Sequence, residues 1–343
     1  MNWESVNWDS LDRLRRIYLD AIPGGESYWE SMADLESYDF TYAQRIAWKW
    51  TAVLADLTRL RWRPAPGPLL DWGCGSGVAA RCVAAHYGSG TFDSMLLHDR
   101  SPLAVEFACQ RAAARFPGMA VLPGETHLAD GAPIGTLLLS HVLNELPPEV
   151  HPELAAIVRR AACVIWVEPG THEVSRSLGA IRDRLLADFR VIAPCTHQAT
   201  CGILAPGNER HWCHQFARPP MEIFIDSGWS RFAQRAGIDL RSLPYSYLAL
   251  DRRMPAKDPI ATGGEEGTGT AVRVIGDARI YKGYLKMLGC HAGGVAESML
   301  QQRDSPEMFR RIKSGKSTNL QIWSQSDGKI TRISECPDAT PRK

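Results

Sequence analysis

Asp71-Trp72-Gly73-Cys74-Gly75-Ser76-Gly77 lies between a short apolar run and a helix-like stretch, and its residue types and spacing suit ligand binding. Glycines let a backbone bend tightly and approach a ligand that a Cβ would exclude. One acid ends the apolar run (Asp71) and a second ends the next such run (Asp99), where it could accept from ribose hydroxyls. Dinucleotide folds place Gly-x-Gly-x-x-Gly where a pyrophosphate meets a helix N-terminus. The spacing here, Asp-x-Gly-x-Gly-x-Gly, sets an acid ahead of the loop. That acid would repel a pyrophosphate and suits an ammonium group such as that of S-adenosylmethionine.

A second group of residues could bind metal. Of nine cysteines, Cys195, Cys201 and Cys213 fall in one short stretch with the spacing C-x5-C-x11-C. The odd total argues against a disulfide framework. Thiols in a loop without apolar periodicity are poor candidates for core packing, and Cys/His tracts bind metals readily. Cys290, ending a strand-like run, is the natural fourth ligand. Four thiolates suit a structural zinc or a [4Fe–4S] cluster, and His197, His211 and His214 keep zinc open.

The surrounding sequence alternates between two periodicities. Apolar residues recur at helical spacing from Tyr42 to Arg61, before the prolines of 63–68. Residues 68–73, 95–97, 134–140 and 163–167 are short apolar runs that predict buried strands, with helices over 78–87, 103–116 and 152–161 between them. Such alternation implies a mostly parallel sheet covered on both faces. It fades after about residue 190. Residues 255–270 form a Gly/Thr-rich loop, and 271–290 predict a strand pair turning at Gly276–Asp277 or Lys282–Gly283. The expected organisation is a helical region over 1–62, a cofactor domain over 63–190, a Cys-rich module over 191–295 and a basic tail over 296–343.

Composition bounds the function. The 343 residues carry 39 Lys+Arg and 38 Asp+Glu, a net charge of +1, which argues against a generally basic nucleic-acid coat. Acids dominate the first forty residues, and bases outnumber acids nine to five over 303–343. No run of about 18 apolar residues suggests a membrane span. The first residues lack the basic and apolar regions of a signal peptide, so a cytoplasmic protein is expected.

The glycine loop resembles motif I of class I S-adenosylmethionine-dependent methyltransferases. That resemblance implies that Asp71, Gly73, Cys74, Gly75 and Gly77 bind the cofactor, that Asp99 takes its ribose, and that Arg100 lies beside its adenine with Gly124-Glu125-Thr126 at the other edge. Ser140 and His141, opening the segment Ser140-His141-Val142-Leu143-Asn144-Glu145-Leu146, would lie under the sulfonium. His141, Glu145 and Glu168 are candidate bases, with no catalytic residue assigned. The Asn-Pro-Pro-Tyr-like tetrapeptide of amine methylation is absent from this segment.

Five ordered blocks extend the resemblance over roughly 40–295: Leu143-Asn144-Glu145-Leu146; Val167-Glu168-Pro169-Gly170-Thr171; Pro194-Cys195-x-His197 with Cys201; Trp212-Cys213-His214; and Pro244-Tyr245-Ser246-Tyr247-Leu248-Ala249-Leu250 leading to Lys282-Gly283 and Cys290. Together they are similar to the mitochondrial and bacterial small-ribosomal-subunit methyltransferase-like family. The family implies an α/β class I methyltransferase (Rossmann-like) sheet plus a small C-terminal module whose iron–sulfur cluster is held by Cys195, Cys201, Cys213 and Cys290. It also implies small-subunit rRNA as the partner. Residues 216–243 hold four arginines against three acids, so a peptide, protein or small-molecule substrate also stays open. A non-catalytic assembly factor that keeps the cofactor fold is the remaining reading.

Overall fold

The computed structural model describes residues 2–19, 28–146, 150–254 and 269–336, so nearly all of the Gly/Thr-rich loop lies outside the described residues. In chain order the elements are α1 (Trp8–Leu19), α2 (Met32–Phe40), α3 (Tyr42–Arg59), β1 (Pro68–Trp72), α4 (Val78–Tyr87), β2 (Ser94–His98), α5 (Pro102–Arg115), β3 (Ala120–Pro123), α6 (Glu125–Ala129), β4 (Ile134–Ser140), α7 (His151–Arg160) and β5 (Ala161–Pro169). They continue as α8 (His172–Leu185), β6 (Arg190–Ala193), β7 (Gln215–Ala217), α9 (Glu222–Ile225), α10 (Ser227–Ala236), β8 (Leu243–Asp251), β9 (Thr270–Tyr281), β10 (Tyr284–His291), β11 (Gly294–Gln301), α11 (Pro306–Lys313), β12 (Leu320–Ser326) and β13 (Lys329–Glu335).

The chain divides into two compact units. The first comprises Met1–Thr58, Arg63–Glu168 and Ala217–Leu243; the second takes the rest. Local signals start the helices of the first unit. Ser31 accepts from the Asp34 amide while the Asp34 carboxylate accepts from the Ser31 amide, a reciprocal cap that begins α2. Ser101 caps α5, with Pro102 in its first turn. The sheet of this unit runs β3-β2-β1-β4-β5, every pair parallel. The order reverses between β1 and β4, and open α/β sheets bind ligands in the crevice at such a reversal. Every residue of β4 but Ser140 is buried, as a parallel strand covered on both faces requires. This is an α/β fold of the doubly wound kind. Leu11, Leu14, Leu35, Phe107, Trp229 and Phe232 share one buried cluster that joins α1, α2, α5 and α10.

In the second unit β6 and β8 pair antiparallel and β7 pairs with β8. Strands β9 to β13 close a barrel in the order β10-β11-β13-β12-β9. Of the two turns expected in 271–290, the chain takes Lys282–Gly283, and β9 continues past Gly276 with a shift of register there. The expected basic tail also differs from what is found. Residues 296–335 supply β11, α11, β12 and β13, whose apolar residues fill the barrel with Leu300, Phe309, Trp323 and Ile330. Short strands with mixed faces carry little period, and their charges sit on the outside.

Trp323 is 1% exposed inside the barrel, its indole N–H donating to Gln321. A Cβ on Gly289 would come within 2.6 Å of its ring. Trp323→Ala is expected to destabilise the second unit by about 3–5 kcal/mol, the usual cost of emptying so large a site. Urea titration followed by hydrogen exchange in β9–β13 measures it.

Candidate functional site

The sheet reversal carries a cavity of about 360 Å3, within the range of small-molecule sites. Its walls come from the ends of β1, β2 and β4, from Glu145 and Leu146 beyond β4, and from aromatic residues near the N-terminus. After β1 the backbone enters the left-handed region at Gly73 (φ 73°), Gly75 (φ 51°) and Gly77 (φ 75°), where side-chain-bearing residues are strained. The amides of Gly73 and Cys74 both donate to the His98 carbonyl, at 2.8 and 2.9 Å. A Cβ on Gly73 would strike Val142 at 2.7 Å, whereas one on Gly75 would meet no protein atom within 4 Å. Gly75 therefore leaves open space on the cavity side.

Asp99, at the end of β2, clamps this bend. One carboxylate oxygen accepts from Gly75 at 2.9 Å and the other from Ser101 at 3.0 Å. Each oxygen keeps a further lone pair for a hydroxyl. Asp99, Arg100, Cys74, Ser140 and His141 all line the cavity, as do Gly73 and Gly75.

Asp71 and Gly77 do not line it. Asp71 is fully buried and accepts from the Ala80 amide at 3.0 Å, serving the exposed amides at the start of α4. One carboxylate oxygen of Asp71 thus serves the helix start, and the other has no hydrogen-bond partner among the described residues. Gly77 begins α4, where a Cβ would approach Ala108 to 2.9 Å. Gly124, Glu125 and Thr126 also lie outside the cavity walls.

Past β4, His141 is a non-glycine residue at φ 60°. Its amide donates to Val167, and Glu168 accepts from the next two amides, Val142 and Leu143, at 3.1 and 3.2 Å. Trp166 donates to the same Glu168 oxygen at 2.6 Å. Glu168 is fully buried, and one oxygen of its carboxylate takes all three of these bonds and so holds the loop. His141 Nε2 lies 3.1 Å from Lys49 Nζ, and Nδ1 lies 3.4 Å from Ser140 Oγ, which accepts from Trp50 at 3.0 Å. Burial and then Lys49 hold the His141 pKa well below the ordinary range, so its imidazole is neutral. Burial and the nearby Arg45 bring Lys49 down to about 7. Glu145 is raised to about 7 by burial and accepts from the Tyr28 hydroxyl at 3.3 Å.

Sequence reading missed Lys49, Tyr28, Trp29 and Tyr38. The signal for Lys49 was a lysine inside the apolar stripe of α3, flanked by Ile46, Trp50 and Val53. For the aromatic residues it was their density between Tyr28 and Tyr42.

The second unit brings together the three cysteines singled out by spacing and Cys290, expected as their fourth partner. Cys201, Cys213 and Cys290 pack with Ile203, Ile275, Leu288 and Val295, and Cys195 acts electrostatically on all three. Burial raises the thiol pKa of each of these three, and the neighbouring cysteines raise it further. All nine cysteines are free. Arg182 and Arg273, both buried, offset part of that effect at Cys290, whose Sγ lies 3.7 Å from His197 Nε2. The loop is tied down by polar contacts: Arg182 donates to the carbonyls of His197 and Ala199, and Arg176 to those of Ile203, Asn208 and His211. Among the described residues no three His, Cys, Asp or Glu side chains are arranged to hold a metal ion, so neither an iron–sulfur nor a zinc module is shown.

Among the described residues no helix is long and apolar enough to cross a membrane. The profile of a family described as mitochondrial small ribosomal subunit Rsm22 matches residues 36–317. No curated protein matches the chain. Among solved structures, a SAM-dependent methyltransferase from Thiobacillus denitrificans in complex with S-adenosyl-L-homocysteine is 16% identical, covering 57% of this chain and 89% of that one, with a TM-score of 0.34. Precorrin-6y C5,15-methyltransferase from Geobacter metallireducens is 12% identical over 58% of this chain and 84% of its own, with a TM-score of 0.32. Likenesses this partial add nothing to the strand order.

The buried ionisable groups set opposite pH slopes. Asp71 is raised by burial to about 7, so the folded state holds a proton that the unfolded state has already lost, and stability falls from about pH 4 to 7. Lys49 is lowered to about 7, so there the unfolded state holds the extra proton, and stability rises from about pH 7 to 10. Asp71→Asn should flatten the acid-side fall and Lys49→Met the alkaline rise, read as melting temperature against pH.

Proposed function

The chain belongs to the mitochondrial small ribosomal subunit Rsm22 family, and from that premise we propose an S-adenosylmethionine-dependent methyltransferase that acts on the small ribosomal subunit or its RNA. The supporting observation is the cavity at the sheet reversal, with open space beside Gly75 and a carboxylate, Asp99, at its rim. Gly73, Cys74, Gly75, Asp99, Arg100, Ser140 and His141 would hold the cofactor, which supplies an already activated methyl group. The work of the protein is then to align the acceptor and exclude water. Tyr28, Trp29 and Tyr38 wall off the cavity with aromatic surface. His141, kept neutral, can accept a proton but is engaged by Lys49.

A second reading is an assembly factor that binds cofactor without turnover. It is favoured by the occupied state of the polar wall groups: Glu145 by Tyr28, His141 by Lys49. Labelled methyl transfer to purified small subunits supports the first reading. Cofactor binding without transfer supports the second, and transfer only to peptide or small-molecule acceptors rejects the ribosomal substrate. Asp99→Ala should weaken S-adenosylhomocysteine binding by about ten-fold or more, because it removes a charged acceptor and loosens the bend. Calorimetric titration gives the value, and parent-like affinity would reject the cavity assignment.

Within this proposal, Cys195, Cys201, Cys213 and Cys290 hold a [4Fe–4S] cluster. Four thiols that act electrostatically on one another, beside two buried arginines, suit an anionic group. When bound, the cluster supplies cross-linking, and its binding energy appears as folding energy. Protein purified without oxygen should carry about four iron atoms per chain. Cys213→Ser should lose them and melt at lower temperature. Full iron content in the variant, or zinc alone in the parent, would reject the cluster.

A further inference from the structure

The barrel of the second unit has a specific connectivity. Strands β9, β10 and β11 form an antiparallel meander, α11 follows, and the β12–β13 hairpin then closes the barrel, with β13 parallel to β11 and β12 antiparallel to β9. This is the five-stranded Greek-key arrangement of oligonucleotide- and oligosaccharide-binding barrels. Those barrels bind ligands on the face of their second and third strands, between the first–second and fourth–fifth turns.

Here both turns border one end of β11. Gln302 donates to Gly283 in the β9–β10 turn, and Met299 donates to Gly328 in the β12–β13 turn, each at 2.9 Å. The register places Tyr281 opposite Tyr284 and Arg279 opposite Lys286, so the four side chains share the outer face while Leu285 is buried in the barrel. The rings of Tyr281 and Tyr284 stack at 4.7 Å and 8°, with Tyr281 42% exposed. Lys282 is exposed at the turn between them and has no ion pair among the described residues. Further along the face, Leu288 and Cys290 are covered by the cysteine cluster, which leaves the tyrosine end open.

Charge selects the ligand class. Residues 270–335 hold eleven Lys or Arg against six Asp or Glu, a net +5 in a chain whose total is +1. A polyanion with stackable rings fits this face better than a neutral sugar chain. Glu297 pairs with both Arg279 and Lys286 across the strands, but exposed pairs of this kind are weak enough to re-form on phosphates.

We propose that the outer face of β9–β11, centred on Tyr281, Tyr284 and Lys282, binds single-stranded RNA by base stacking and phosphate contact. The site stands on the barrel alone and does not depend on cofactor binding or methyl transfer.

The test uses the full chain and a fluorescent oligouridylate of about 12 nucleotides, within the footprint of such barrels. Anisotropy should give a Kd of about 1–100 µM at ~100 mM salt, weakening as salt rises. Tyr281→Ala should weaken binding about ten-fold and Tyr281→Trp should retain it, since stacking tolerates any flat ring. Lys282→Glu should lower the salt slope by about 0.7 or more, whereas Lys313→Glu on α11 should leave it unchanged. Melting curves must match the parent for each variant. No saturable binding in that range, equal binding of a duplex of the same length, or parent-like affinity in both Tyr281→Ala and Lys282→Glu would overturn the proposal. S-adenosylhomocysteine titration of the same samples reports on the cavity separately, so its failure counts only against the methyltransferase reading.

Discussion

Three left-handed glycines within five residues are the constraint from which the rest of the first unit follows. A side chain at any of these positions meets backbone strain of roughly 1–2 kcal/mol, and at Gly73 and Gly77 it also meets a neighbour. The bend is held from the next strand, by the His98 carbonyl and the Asp99 carboxylate. That arrangement requires Trp72 to stand beside His98, so the β1–β2 register and the cavity are specified together. A one-residue slip would turn every side chain of β1 to the wrong face.

The carboxylates near this bend divide their work by burial. Asp71 and Glu168 sit where strands end and backbone amides lack partners, and each accepts from those amides. Their raised pKa values express the cost of keeping a charge away from water, a cost the protein bears for geometry. Asp99 is only partly buried and faces the cavity, which leaves it free for ligand chemistry. Chemically similar residues at three strand ends thus have different roles, and exposure decides which.

The second unit solves a different problem. Its 194–215 loop has no apolar stripe, and Arg176 and Arg182 of α8 hold it instead by donating to five of its carbonyls. Ser175 and Ser246 converge on the Cys213 carbonyl in the same way. Polar clamps of this kind position the cysteines without a large apolar core, at the cost of burying the Arg182 guanidinium.

Much of the first unit was legible from residue order alone. Apolar runs of three to seven residues marked β1, β2, β4 and β5, and the 3.6 period marked α3, α4, α5 and α7, because burial on a strand or a helix face imposes those periods. The glycine bend was visible because left-handed backbone favours glycine, and three of the four cysteines because they cluster in a stretch without apolar period. Only the tertiary structure could show that Asp71 turns to α4 and Glu168 to the loop after β4, since alternation along a strand does not say which amide lacks a partner. Lys49 reaches His141 across 92 positions, and the barrel closes by pairing β9 with β12; both depend on contacts distant in sequence, and local periodicity carries no record of such contacts.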